Sequence, residues 1–416
     1  MSRQPAQSSV NLQPPTALLY GVSRHKRWLV AISYTLLLCA NQALVTNLIP
    51  LLSHIQQLYG LSEMAASASV LIFPIFCVLL SIPAGMLIDR IGFRRSTIIG
   101  IALTALAVPL RLELATYASL MLGQLLIALA QPLIINGAAK MAAEWFPEEE
   151  RGKAIGLSSA GMFTGLALGL GATPLLFDSY GLQAVVLGST LVALLPCVLF
   201  YLVSANPGQS RPGQSSSANH GLLQLACSPG LPVLLLAALL GFGLFNALTL
   251  CLEPILIGNG LDASALASAG VLLIAGGVFG SLLVIPLAQW LNSKKLVLMG
   301  CGVGAIGMIW QLFHSHSQAA VMVYSSLLGL FLLSCYALLL TLSEELAGAS
   351  QAARANALLV VAGNVGSALA MTAVTLIHSA LGNWTLVIVF LISLALLQLL
   401  VVALFKPPAS TQVASH

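Results

Sequence analysis

The chain has 416 residues, of which 58% are hydrophobic and only 7% charged, with a net charge of +4. Soluble domains carry about 25% charged residues, so this composition excludes a water-covered globule; with a mean hydropathy of +0.98, most of the surface faces lipid. The positive balance therefore marks topology and gives no reason to expect a nucleic-acid partner.

Residues 1–23 are rich in Ser, Gln and Pro and read as a disordered tail. The basic run Arg24 to Arg27 precedes the first apolar stretch, which is long enough to span and shows no clear secretory cleavage site. A crossing helix needs about 20 apolar residues. On that rule twelve spans fall at 28–50, 66–88, 96–114, 117–141, 154–176, 183–203, 231–256, 265–289, 296–313, 318–342, 355–377 and 384–405. With the N-terminus inside, the outer loops contain no Lys or Arg. Fifteen of the sixteen basic residues lie in the tails or on the cytoplasmic side, Arg111 being the exception. The positive-inside rule then predicts both termini in the cytoplasm. Residues 204–230 are rich in Pro, Gly and Ser and read as a cytoplasmic linker. They divide the chain into one bundle at 24–203 and another at 231–405, with a tail at 406–416.

Seven cysteines show no paired spacing, and six lie in apolar segments, where free cysteine behaves as a small hydrophobe. Neither a disulfide nor a metal site is expected, and no cofactor.

Between the second and third spans, Gly85-Met-Leu-Ile-Asp89-Arg90-Ile-Gly92-Phe-Arg94-Arg95 packs four charges into eleven residues. Gly85 permits close helix contact, and Gly92 offers a positive φ. Asp89 can meet a neighbouring helix N-terminus or one of the arginines, since either supplies positive charge. This pattern resembles the signature loop of the major facilitator superfamily. The resemblance implies an all-α integral membrane fold of twelve transmembrane helices in two pseudo-symmetric six-helix bundles, N-in and C-in, that carries a solute by rocker-switch alternating access.

Internal repetition agrees with that expectation. Glu144 to Arg151 leads into a glycine-rich fifth span, and Glu344-Glu345 to Arg354 leads likewise into the eleventh. Glu144, Arg151, Glu345 and Arg354 therefore join Gly85, Asp89, Arg90, Gly92, Arg94 and Arg95 as candidate gating residues. The second-half counterpart of the loop is reduced to Gln289 through Lys295, without acid or glycine, so the first loop is expected to carry more of the gating. Gly161, Gly165 and Gly169, at spacing four in span five, are expected to let helix backbones approach closely.

In this superfamily the central cavity is lined mainly by spans one, four, seven and ten. The candidate cavity residues are Tyr34, Asn41 and Gln42; Gln124 and Gln131; Asn246 and Thr249; and Tyr336, with Phe163 and Asn364 added from spans five and eleven. Arg111, Glu113 and Glu253 lie near outer span ends, where snorkelling to the interface is expected. The sequence offers no acid near the midplane. That favours facilitated transport of a neutral or cationic solute held by amides and aromatic rings. Glu253 is the candidate coupling acid for the alternative, a proton-coupled exporter of drugs or metabolites.

Met121-Leu-Gly-Gln124 with Ala130-Gln131, then Ala142-Ala-Glu-Trp145-Phe146 and Gly270 through Ser281, resembles the feline leukaemia virus subgroup C receptor-related branch. Its members are associated with choline and ethanolamine uptake and with haem export. In that branch choline sits against a first-span aromatic and glutamines of the fifth and eleventh spans. The matching positions here hold Gln42, Phe163 and Asn364. Choline would need Phe163, Tyr34 or Tyr336 as replacement ring faces, and no cavity histidine is available for haem.

A membrane enzyme would require a nucleophile–base pair or a metal cluster, and the histidines are too peripheral and scattered to form one. The expected partners are a small-molecule substrate and the lipid bilayer of the cell (inner) membrane, with the chain monomeric.

Overall fold

The structure, a computed structural model, describes residues 23–204, 221–261 and 263–405. The expected tails and most of the expected linker lie outside the described residues. Helices account for every regular element among those described: α1 (Arg24–Thr46), α2 (Leu52–Tyr59), α3 (Glu63–Ile91), α4 (Phe93–Leu112), α5 (Tyr117–Ile135), α6 (Gly137–Trp145), α7 (Glu148–Val203), α8 (Leu222–Ala226), α9 (Leu231–Gly258), α10 (Ala263–Trp290), α11 (Lys294–Phe313), α12 (Gln318–Ala347), α13 (Ala352–Leu381) and α14 (Trp384–Leu404), with one 3₁₀ turn at Ile49–Leu51. Hydroxyls and an amide start several of them. Ser23, Ser62, Thr116, Ser293 and Asn383 each accept a backbone N–H from the first turn of the helix they precede, which satisfies one of the orphan donors there.

Eleven helical stretches among the described residues are long and apolar enough to cross a membrane. One of them, α7, has 56 residues, about 84 Å at 1.5 Å per residue and more than twice a bilayer core. It is interrupted at Gly181, whose φ of 77° and ψ of 177° are not helical, giving two lengths that can each cross. The 177–182 stretch expected as an outer loop is thus a one-residue break, and the 51–65 loop contains α2.

Both ends of the described chain lie at one end of the body. Arg24 pairs with Glu150 at 3.4 Å, and Lys295 donates to the carbonyl of Ala403 at 2.6 Å. Counting α7 twice gives twelve lengths among the described residues that are long and apolar enough to cross, an even number that agrees with both ends lying together. This end, which gathers the basic loops, is called the basic end below.

Glycines set the closest helix contacts. A Cβ at Gly161, Gly165 or Gly169 would overlap backbone or side-chain atoms of Thr35, Cys39 and Thr46, so the first length of α7 lies directly against α1. Gly366 on α13 and Leu239 on α9 repeat this contact in the second half, as do Gly276 on α10 and Ser326 on α12. Close backbone approach by small residues is the usual means of helix association in lipid. Leucines such as Leu79, Leu195 and Leu400 remain more than 60% exposed on the flanks, consistent with a lipid-facing surface.

Candidate functional site

The halves α1–α7 and α9–α14 meet at the basic end through a set of polar contacts. Gly92 takes a φ of 90° between α3 and α4, so the chain reverses immediately after Asp89. The Asp89 carboxylate then faces the first turn of α13. It accepts the backbone N–H groups of Ala353 at 3.3 Å and Arg354 at 3.1 Å. Its oxygens also lie 3.4 Å from Nε of Arg354 and 3.5 Å from Nζ of Lys140. The side chain is 1% exposed. A buried carboxylate is tolerated here because it has charge-assisted donors and the positive end of a helix. Gly85 makes the approach feasible, since a Cβ there would sit 2.8 Å from the carbonyl oxygen of Ala353.

A second ion pair crosses between the halves. Arg151 Nη1 donates to Glu344 at 2.9 Å, with the Glu344 side chain 2% exposed. Glu345, the expected gating acid, instead pairs with Lys294 within the second half. Adjacent residues on a helix point about 100° apart, so only one of the two glutamates can face α7. Glu144 does not reach the other half either, because its carboxylate accepts the Phe93 backbone N–H at 3.3 Å and caps α4. Arg90 and Arg95 are exposed, and Arg94 donates to Ser204 and lies over Tyr201. Lys140 donates to the Ala349 carbonyl at 2.7 Å, and Asn356 to that of Ile135 at 3.2 Å. Both contacts join the halves, and neither residue stood out in the sequence. Lys140 has a legible signal, a cation four positions before Glu144 in an otherwise apolar span.

At mid-depth the halves meet through aromatic rings. Phe163 on α7 and Tyr336 on α12 form an edge contact with centroids 6.2 Å apart, and Phe242 on α9 meets Tyr336 at 5.2 Å. Counted at 1.5 Å per residue, Phe163, Phe242 and Tyr336 lie roughly 16–23 Å from the basic ends of their helices. Gln131 and Gln42 join across α5 and α1 at 3.1 Å, leaving Gln131 Oε1 buried without a partner. Asn246 donates to Ser367 at 2.9 Å and Asn364 to its own helix at Val360. Phe242 was not singled out in the sequence, although it sits one turn before Asn246 on the same helix face.

Other candidate cavity residues lie elsewhere. Tyr34 is fully buried inside the first half, donating to the Ile134 carbonyl and packed edge-on by Phe93. Asn41, seven residues on and so on the same face, is also buried, with both amide atoms unpartnered. Gln124 is 0% exposed and holds Arg111. Thr249 is exposed and bonds its own helix at Phe245. The side chain of Glu253 lies outside the described residues. Arg111 does not snorkel. It is 0% exposed, with Nη1 on Gln124 at 2.5 Å and Nη2 on Asn47 at 3.3 Å. Hydropathy along a span cannot foresee this, because depth in the bundle depends on which face the residue takes.

An all-helical body rich in membrane-length spans, its halves joined by polar contacts at one end and by aromatic rings at its middle, has the architecture of a secondary transporter. The chain matches the family profile described as Major Facilitator Superfamily over residues 34–328 and belongs to that family of transmembrane solute transporters. Its fold is similar to the crystal structure of the E. coli fucose:proton symporter, with a TM-score of 0.77 over 92% of this chain and 99% of that one, at 15% identity. In sequence it is similar to solute carrier family 49 member A3 of Danio rerio, 29% identical over 83% of this chain and 77% of the relative. A shorter likeness, 27% identical, joins 34% of this chain to 33% of probable anion transporter 5 of Arabidopsis thaliana.

Proposed function

We propose that the chain carries a small neutral or cationic organic solute by alternating access, without a coupling ion, between the cytoplasm and the far side of the cell membrane. The observation that carries the substrate class is the mid-depth site itself. Tyr336 meets Phe163 of the other half and Phe242 of its own, the amides of Gln131 and Asn246 make hydrogen bonds within their own halves, and none of these side chains carries a charge. Ring faces attract cations, and unpartnered amide oxygens such as Gln131 Oε1 accept from hydroxyl or ammonium donors. The likeness to a plant anion transporter spans a third of the chain, and no described Lys or Arg reaches mid-depth to hold an anion.

The basic end is the cytoplasmic end in this reading, following the positive-inside rule. The contacts of Asp89, Lys140, Arg151, Glu344 and Arg354 are the gate that closes it. Within the superfamily the chain is assigned to the branch of the feline leukaemia virus subgroup C receptor-related proteins, which the zebrafish solute carrier family 49 relative supports. Choline and ethanolamine are accordingly the first substrates to try, with Phe163 and Tyr336 as ring faces; Tyr34 is too deeply packed to serve.

A thermal-shift screen of the purified protein against amines, neutral amino acids, nucleosides and vitamins, followed by counterflow in proteoliposomes, tests the reading. A neutral or cationic hit should exchange without a pH gradient. A hit restricted to anions would overturn the substrate class. Flux that requires a proton gradient and is lost in Glu253→Gln would replace the uncoupled mechanism with the proton-coupled one.

A further inference from the structure

Arg111 poses a problem that transport does not solve. It has no exposed surface, yet no carboxylate lies within ion-pair distance among the described residues. Its two bonded partners are the neutral amides of Gln124 and Asn47, and its Nε–H is buried without a hydrogen bond. The final carbonyls of α4 offset part of the charge. Amides and helix ends supply dipoles and no counter-charge, and an uncompensated buried ion is costly.

Beside Arg111, at the end of the body opposite the basic loops, lies a recess of about 230 Å³ lined by Arg111, Leu112, Leu114, Gln183 and Leu187. It is formed where α4 ends and the second length of α7 begins. Leu112 and Leu187 are 39% and 36% exposed, so the rim is apolar and turned outward, while Arg111, 0% exposed, forms part of the wall behind it. The recess is smaller than the roughly 300–1,000 Å³ of a pocket that encloses a drug-sized ligand. It suits a headgroup whose hydrocarbon continues outside.

We propose that this recess binds the phosphate of an anionic lipid. The phosphate oxygens supply the missing counter-charge and accept the Arg111 Nε–H, the Gln183 amide donates to the same group, and the leucines meet the first methylenes of the acyl chains. Arginine suits phosphate because its planar fork presents several donors at once. The occupied site ties the end of α4 to α7 at the level where Arg111 already bridges α5 and Asn47, the residue that follows α1.

Purified protein is delipidated and titrated with phosphatidylglycerol, phosphatidylcholine, glycerol 3-phosphate or inorganic phosphate, with melting temperature and native mass spectrometry as readouts. Phosphatidylglycerol should raise the melting temperature and remain bound, and the other three should do neither. Arg111→Gln should abolish the difference between the two lipids. Gln183 is exposed, so Gln183→Glu should fold normally while weakening phosphatidylglycerol about tenfold through like-charge repulsion. That variant decides the matter if Arg111→Gln does not fold. Equal stabilisation by both lipids, or unchanged phosphatidylglycerol affinity in Gln183→Glu, would overturn the proposal. Stabilisation by free phosphate as large as that by the lipid would replace it with a small-anion site.

Discussion

Asp89 and Arg354 stand 265 residues apart in different halves of the chain, yet the carboxylate of one accepts the backbone N–H of the other at 3.1 Å and faces its guanidinium at 3.4 Å. One acid therefore answers both a helix end and a side chain. Both attractions cross between the halves, so under the proposed alternating-access mechanism removing the charge should favour the arrangement open at the basic end.

Asp89→Asn keeps an oxygen to accept one N–H and loses the charge. Hydrogen bonds to charged groups contribute about 1.5–3 kcal/mol against 0.5–1.5 for neutral ones. A loss of about 1–2 kcal/mol changes the closed-to-open ratio by roughly 5–30-fold. Spin labels on Arg95→Cys and Ser350→Cys, exposed positions on the two halves, should report a longer distance population. Transport should fall and expression should not. An unchanged distance distribution with normal flux would remove Asp89 from the gate.

The Arg151–Glu344 pair makes a reciprocal prediction. Arg151→Glu leaves two acids facing each other where the Glu344 side chain is 2% exposed, and breaking a buried pair costs about 3–5 kcal/mol. Adding Glu344→Arg should restore much of the lost stability. A double-mutant cycle in thermal unfolding should give a coupling of about 0.5–3 kcal/mol. Glu345→Gln, whose partner Lys294 lies in the same half, should leave the distance between halves unchanged.

Gly165→Ala should be severely destabilising, because its Cβ would overlap the carbonyl of Cys39 on α1. Gly300→Ala is the control. Its Cβ would meet nothing within 4 Å, and the change removes chain entropy from the unfolded state, worth about 0.4–1 kcal/mol of added stability. Melting curves of the two variants should move in opposite directions.

At mid-depth, Phe163→Ala should raise KM for a cationic substrate while the protein still folds. A desolvated cation–π contact is worth about 0.5–2 kcal/mol, or roughly 2–30-fold in apparent affinity. Tyr34→Phe should lower stability with no selective effect on KM, since that hydroxyl is spent inside the first half on Ile134.

The crossing segments were legible because lipid demands long apolar runs, and the basic loops were legible because so few charges interrupt them. Asp89 stood out for the same reason. Azimuth was harder to read. Tyr34 and Gln42 both lie in the first span, but the former turns into the bundle and the latter toward Gln131. Glu344 and Glu345 are neighbours in sequence and part company in space by one helical step. Arg111 was misread for a related reason, since a position near a span end says nothing of whether neighbouring helices bury it, as α5 and the end of α1 do here. Asn292 shows a subtler gap. It takes a φ of 49° in the second-half turn where the first half uses Gly92, so the turn survives without the glycine that advertises it.

Gly181 leaves the two lengths of α7 with no slack between them. Its backbone lies in a region that side-chain-bearing residues avoid, and a Cβ there would meet nothing, so it is a bare pivot. The first length carries Phe163 and Arg151, and no loop separates it from the second to absorb a tilt. Under the proposed alternating access the fifth and sixth crossings should therefore move as one jointed lever, and lengthening the joint by a few flexible residues should uncouple them before it unfolds either.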